Sequence, residues 1–254
     1  MIKIYSLLNV LKKNSIDFFT GVPDSILKEL SLYLAKLKKN KHIIAVNEGS
    51  AISIAIGYYL AKKKIPCVYL QNSGLSNAIN PLISIADSKV YSIPLVLLIG
   101  WRGSPKIKDE PQHNAKGKIT RQILKLLKIK YTIIRQTKDL KKFENLIKFS
   151  KIKNIPVACL IENNTIEKNR KKIIHKKSYK NKIDKEFFLK KLLSFTDKDT
   201  RIICSTGYNS REIMHLRNKY NIKKGKDFYM VGAWGIHLLY LWVIRFLPTK
   251  KLFV

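Results

Sequence analysis

Six short, almost wholly apolar runs, separated by amphipathic stretches, constrain this chain more than any other feature. They fall at residues 18–20, 42–46, 66–70, 94–99, 131–134 and 155–161. A strand with one wet face alternates apolar and polar residues, whereas a strand covered on both faces does not. The runs therefore read as buried strands of a parallel sheet, and a helix fits each gap. Residues 3–13 read as one such helix. In the next gap Ile26, Leu30, Tyr33, Leu34 and Leu37 form a stripe at helical spacing, with Pro23 suited to the first helical position. The expectation is an α/β fold over residues 1–162: a six-stranded parallel sheet with helices on both faces.

Beyond it the pattern changes twice. Residues 163–183 are polar and crowded with lysine, which reads as an exposed basic linker. A second α/β unit is expected over residues 184–233, with helices at 187–195 and 210–219 and strands at 201–204 and 228–231. Between them Ser205-Thr206-Gly207 reads as a turn. Residues 234–254 break the pattern. Most of their first half is large and apolar, without helical amphipathicity and too short to span a bilayer, so the second unit reads as incomplete.

The chain carries 50 Lys+Arg against 17 Asp+Glu, a formal net charge of +33. Such a balance raises nucleic-acid binding. The lysines are spread over every expected helix, however, Ile and Asn are abundant too, and no aromatic-plus-basic RNA motif appears. The charge is read as compositional, with steering of an anionic substrate as its secondary effect. Cys67, Cys159 and Cys204 show no metal-ligand spacing and read as buried thiols of a cytoplasmic protein. No opening signal peptide and no early membrane span are expected.

Four loops at the carboxyl ends of the first four strands carry the chemistry. Gly21-Val22-Pro23-Asp24-Ser25 follows the first strand and Asn47-Glu48-Gly49-Ser50 the second. Gln71-Asn72-Ser73-Gly74-Leu75-Ser76-Asn77 follows the third. Gly100-Trp101-Arg102-Gly103, continued by Asp109-Glu110-Pro111-Gln112-His113, follows the fourth. Ligands of open α/β sheets bind at this edge. Each loop has an ordinary explanation as a helix start or turn; together they bring carboxylates, amides and a histidine to one crevice.

These motifs, with "NEGSAISIAIGYYLA", "QNSGLSNAINPLIS" and "YSIPLVLLIGWRG", resemble the pyrimidine-binding half of the thiamine-diphosphate-dependent 2-oxo acid decarboxylases. The likeness is to the phosphonopyruvate type, with the sulfopyruvate type as near relative, and runs from about Lys3 to Gly235. It implies thiamine diphosphate and Mg2+ as cofactors, a small anionic 2-oxo acid as substrate, and a homo-oligomer whose active site lies between subunits. Glu48 matches the carboxylate that activates the cofactor. Asp24 and His113 match an aspartate and a histidine around the reacting carbon. Gly21, Asn72, Ser73 and Gly74 match loops on the pyrimidine side, and Ser205, Thr206 and Gly207 a diphosphate-side loop. Ser25, Arg102 and Gln112 are expected to take the phosphonate tail.

The resemblance fails at the family's Met-Gly-His segment and its Asp-Gly-Asp metal site, so no metal ligand is assigned. One permitted codon set for residues 233–254, read from its third base, gives Met-Gly-His-Thr-Ser and onward. Loss of one nucleotide after Ala233 is the expected origin of the tail, with an inactive product. Two alternatives stand beside this reading: a sulfopyruvate decarboxylase subunit needing a separate partner chain, and a non-catalytic nucleic-acid-binding protein.

Overall fold

The computed structural model describes residues 1–105, 107–168, 183–197, 199–204, 207–222, 227–229 and 252–253. The chain divides into two units, Met1–Lys172 and Ile173–Val254. In the first, α1 (Ile4–Lys13) precedes β1 (Phe19–Gly21), α2 (Lys28–Leu34), β2 (His42–Ile44), α3 (Glu48–Lys62) and β3 (Cys67–Gln71). A 3-10 turn (Asn72–Gly74) leads into α4 (Leu75–Pro81), and β4 (Val96–Trp101), α5 (Pro111–Leu126), β5 (Lys130–Ile134), α6 (Asp139–Lys153) and β6 (Val157–Glu162) follow. Pro81 brings no N–H to the helix, and the next turn, Leu82–Ala86, widens to a π turn.

All six strands pair in parallel, in the order β2-β1-β3-β4-β6-β5. Successive side chains of the central strands point to opposite faces, and each set meets its own helical layer. Cys67, Tyr69, Val96, Leu98, Val157, Cys159 and Ile161 pack with Leu7 and Leu11 of α1, Leu30 and Leu34 of α2, and Phe143 and Ile147 of α6. Val68, Leu70, Leu97, Ile99, Ala158 and Leu160 pack with Ala51, Ile52 and Ala55 of α3, Ala78 of α4 and Leu124 of α5. Two dry faces leave no polar position along these strands, which is why the runs do not alternate. Each fully buried Leu, Ile or Val contributes about 1.5–3 kcal/mol.

The structure departs from the sequence expectation in four respects. α2 begins at Lys28 rather than at Pro23, because the Asp24 carboxylate takes the N–H groups of Ile26 (3.1 Å) and Leu27 (3.2 Å) in a turn ahead of the helix. β2 and β5 are the edge strands of the sheet and not buried ones, and of β5 only Ile134 is buried. Among the described residues β2 pairs with β1 alone, and Ile44 is 61% and nearby Val46 90% exposed. Gln112 and His113 lie in the first turn of α5, not in a loop, since Pro111 opens that helix. The stretch read as linker begins inside the first unit: Thr165 and Ile166 are buried, and Ile2 N–H donates to the Thr165 carbonyl at 2.7 Å.

In the second unit α7 (Lys185–Ser194), β7 (Arg201–Cys204), α8 (Tyr208–Lys219), β8 (Phe228–Tyr229) and β9 (Leu252–Phe253) are described, with β7 between β8 and β9. Leu189, Leu193, Ile202, Ile213 and Leu216 form its apolar cluster. Arg217 is buried and ion-paired with Asp227. The expected strand beyond Tyr229, the aberrant 234–246 run and most of the lysine-rich stretch lie outside the described residues. All three cysteines are free and buried. Among the described residues no helix is long and apolar enough to cross a membrane.

Candidate active site

The carboxyl ends of β1, β2, β3 and β4, contiguous in the sheet, hold the four loops. Asn47 caps α3, its side chain accepting from Ser50 N–H at 2.8 Å, and so sets Glu48 at the first helical position. The Glu48 side chain crosses to the β3 loop. Its Oε2 accepts from Asn77 Nδ2 at 2.9 Å, and Gly74 lies directly beneath it. A Cβ added to Gly74 would sit 1.9 Å from Glu48 Oε1, so a side chain at that position would displace the carboxylate.

Next to it runs a line of polar groups from β1 to α5. Asp24 is buried and, besides the two backbone N–H groups, accepts from Gln71 Nε2 at 2.6 Å. Gly100 makes room for it, because a Cβ there would meet Asp24 Oδ2 at 2.0 Å. Ser73 Oγ donates to Gln71 Oε1 at 2.7 Å and lies 3.4 Å from His113 Nδ1. Burial lowers the His113 pKa below its ordinary 6.5. The Arg102 and Lys116 charges add to that, and Asp109 and Glu110 oppose it.

The β4 loop is locked from both sides. Arg102 Nε donates to Asp109 Oδ2 at 2.7 Å, its Nη2 pairs with Asp109 Oδ1, and its Nη1 reaches Ser25 Oγ at 3.3 Å. The guanidinium holds the Asp109 carboxyl well below the usual carboxylate range, although burial opposes it. The side chain of Asn72 turns inward rather than to the crevice. Its Nδ2 donates to the Arg102 carbonyl at 3.0 Å and to Thr120 Oγ1 at 2.9 Å, and its Oδ1 accepts from Arg102 N–H at 2.9 Å.

Of the residues expected from the sequence, Glu48, Asp24, Ser73, Gly74, Ser25 and Arg102 thus gather at the carboxyl edge of the sheet, with His113, in the first turn of α5, reaching Ser73 and Gln112 next to it in that turn. Gly21 instead closes β1, buried against Tyr69, where a Cβ would lie 2.0 Å from the Tyr69 carbonyl oxygen. Gly207 caps α8 in the second unit with a φ of +111°, a conformation that glycine adopts freely. Ser205 and Thr206 lie outside the described residues. Among the described residues no group of three or more His, Cys, Asp or Glu is placed to hold a metal ion. Sequence reasoning missed the roles of Gln71, Asn77 and Thr120. The one available signal was position, since Gln71 is the first polar residue after an apolar strand.

The model of the N-terminal thiamine pyrophosphate-binding domain of thiamine pyrophosphate enzymes matches residues 5–123. The phosphonopyruvate decarboxylase of Streptomyces viridochromogenes is 28% identical over 85% of this chain and 56% of its own length. The sulfopyruvate decarboxylase subunit alpha of Methanococcus maripaludis is 36% identical over 46% of this chain and 68% of that subunit. The chain spans 56% and 60% of the two phosphonopyruvate decarboxylases it matches. The crystal structure of benzoylformate decarboxylase from Polynucleobacter necessarius shares the fold. Its TM-score is 0.51 at 17% identity, over 78% of this chain and 37% of that one.

Proposed function

The chain belongs to the thiamine pyrophosphate enzyme family, and from that premise we propose that it serves the decarboxylation of phosphonopyruvate to phosphonoacetaldehyde and CO2. One observation carries this reading. Glu48 is held over Gly74 by Asn77, on the same sheet edge that carries His113 and the Arg102–Ser25 pair.

The residues fit the pyrimidine side of thiamine diphosphate. An aminopyrimidine calls for a carboxylate to share a proton with its ring nitrogen. Glu48 offers Oε1, which has no hydrogen-bond partner among the described residues, while Oε2 is fixed by Asn77. Bound thiamine diphosphate supplies the electron sink for the acyl carbanion, which no side chain provides. Glu48 holds and returns the shared proton, and His113 serves the proton exchange that accompanies aldehyde release. Arg102, oriented by Asp109, and Ser25 receive the anionic tail, with Gln112 flanking it. Asp24, with three donors aimed at its carboxylate, orients the loop rather than delivering a proton. Mg2+ is assigned to the cofactor's diphosphate, with no metal-holding cluster among the described residues of the first unit, and the site is completed by another subunit in a reducing cytoplasm.

The higher identity to a sulfopyruvate decarboxylase subunit favours a second reading, in which the tail is a sulfonate and a separate chain completes the enzyme. CO2 release from phosphonopyruvate and from sulfopyruvate, with thiamine diphosphate and Mg2+, tests both. The assay is run with and without a separately supplied diphosphate-binding domain. Expected is turnover of one of the two acids only where that domain is supplied, the chain alone being inactive, and Glu48→Gln lowers it by about 100- to 10,000-fold. No turnover in either arm, equal use of pyruvate, or full activity of Glu48→Gln overturns the assignment.

A further inference from the structure

We propose that Gln71 is a positioning residue that, through Ser73, fixes His113 in the tautomer with its proton on Nδ1 and its lone pair on Nε2. The inference rests on the reading of His113 as a proton-exchanging group and adds the direction in which it works.

The buried end of the line, at Asp24, sets the first bond direction. Three N–H donors converge on the Asp24 carboxylate: Ile26 N at 3.1 Å, Leu27 N at 3.2 Å and Gln71 Nε2 at 2.6 Å. A carboxylate so surrounded only accepts. The Gln71 amide is therefore oriented one way, with its NH2 towards Asp24 and its Oε1 towards Ser73. Oε1 is a pure acceptor, and Ser73 Oγ lies 2.7 Å from it, so the single hydroxyl proton of Ser73 points to Gln71. Only oxygen lone pairs remain to face His113 Nδ1 at 3.4 Å, and they bond that nitrogen only when it carries hydrogen.

Such contacts are often long in ligand-free sites and tighten on binding. Burial and the Arg102 charge favour the neutral ring, which has one N–H. With that proton on Nδ1, Nε2 is bare, and it has no partner among the described residues. His113 thus rests ready to accept a proton at Nε2, not to donate one. Each bond in the line takes its direction from Asp24. The opposite arrangement, in which Ser73 donates to Nδ1, would leave Gln71 Oε1 without its donor.

The test is a long-range 1H–15N correlation spectrum of the full 254-residue chain, without ligand, labelled at histidine and recorded where His113 is neutral. His113→Asn identifies the signals. Wild type is expected to show Nδ1 in the pyrrole-type range and Nε2 in the pyridine-type range. Gln71→Met releases the Ser73 proton and Ser73→Ala removes the acceptor; both are expected to move Nδ1 towards the pyridine type, whereas Ser73→Thr keeps the wild-type pattern. If Gln71→Met does not fold, as judged by the remaining resonances, Ser73→Ala and Ser73→Thr decide. A wild-type ring protonated on Nε2, or an unchanged tautomer in Ser73→Ala, overturns the proposal. Because no cofactor or substrate enters the measurement, its failure is separable from failure of the decarboxylase reading.

Discussion

At the scale of single residues, Asp109 and His113 make opposite uses of burial. Asp109 accepts from both Arg102 nitrogens and from the N–H groups of Gly103 and Glu110, each at 2.8 Å. Asp109→Asn is expected to lower stability by about 1–3 kcal/mol in urea unfolding at neutral pH, a buried-pair cost discounted for the exposed part of Arg102. The folded pKa of Asp109 lies below its ordinary 3.8, so its contribution is present above that value and lost as pH falls through the folded one. The gap between wild type and variant should therefore close in acid. His113 is also lowered, but as a base: the unfolded chain binds its proton first. Stability tied to the neutral ring is complete above pH 6.5 and declines as pH falls towards the folded value. Unfolding at a series of pH values should show a shallower acid slope for His113→Asn, with some slope left because burial also lowers His42. The place of Asp24 and Glu48 at the sheet edge was legible in the sequence, though not what each carboxylate binds, because a carboxylate at a strand-to-helix turn stands out. Gln71 and Asn77 were not, because an amide in a polar turn gives no sign of which group it will bind.

At the scale of elements, close approach of backbones sets the site. Gly117 of α5 lies against the loop after β4, where a Cβ would meet the Gly103 carbonyl oxygen at 1.7 Å. Gly103 has a φ of +65° and no room above it, since its own Cβ would meet the His113 carbonyl oxygen at 1.9 Å. Trp101 Nε1 adds a bond of 3.0 Å to the Gly117 carbonyl. Gly117→Ala is expected to push the start of α5 from the loop, at a cost of about 1–3 kcal/mol in thermal unfolding. If the melting temperature is unchanged, that contact is not tight in solution. The sequence placed six helices and six strands in this unit in the right order, because each helical stretch is long enough to show its period. It misplaced the start of α2 because Pro23 suits a helix start, whereas Asp24 bonds the next two N–H groups in a turn. Side-chain competition for backbone donors leaves no mark on periodicity.

At the scale of the molecule, the apolar β2 edge and the strand order are what the sequence concealed. His42–Ile44 reads as buried because it is apolar, yet Ile44 and Val46 face solvent at the end of the sheet. If another subunit completes the site, this face is a place for it. Ile44→Glu with Val46→Glu is expected to lower self-association in sedimentation velocity, and an unchanged sedimentation profile would count against that placement. Strand order has a consequence of its own. β6, the last strand of the sheet to be synthesised, lies between β4 and β5. While the ribosome is still adding residues before 157, β4 has one side unpaired and β5 has no partner at all, although every loop of the candidate site has already been made. A nascent chain stalled there presents Val96–Trp101, apolar and open, to any neighbouring nascent chain. The edge that carries the candidate site is thus finished early, and the whole sheet then depends on its last strand entering a slot between two that came before it.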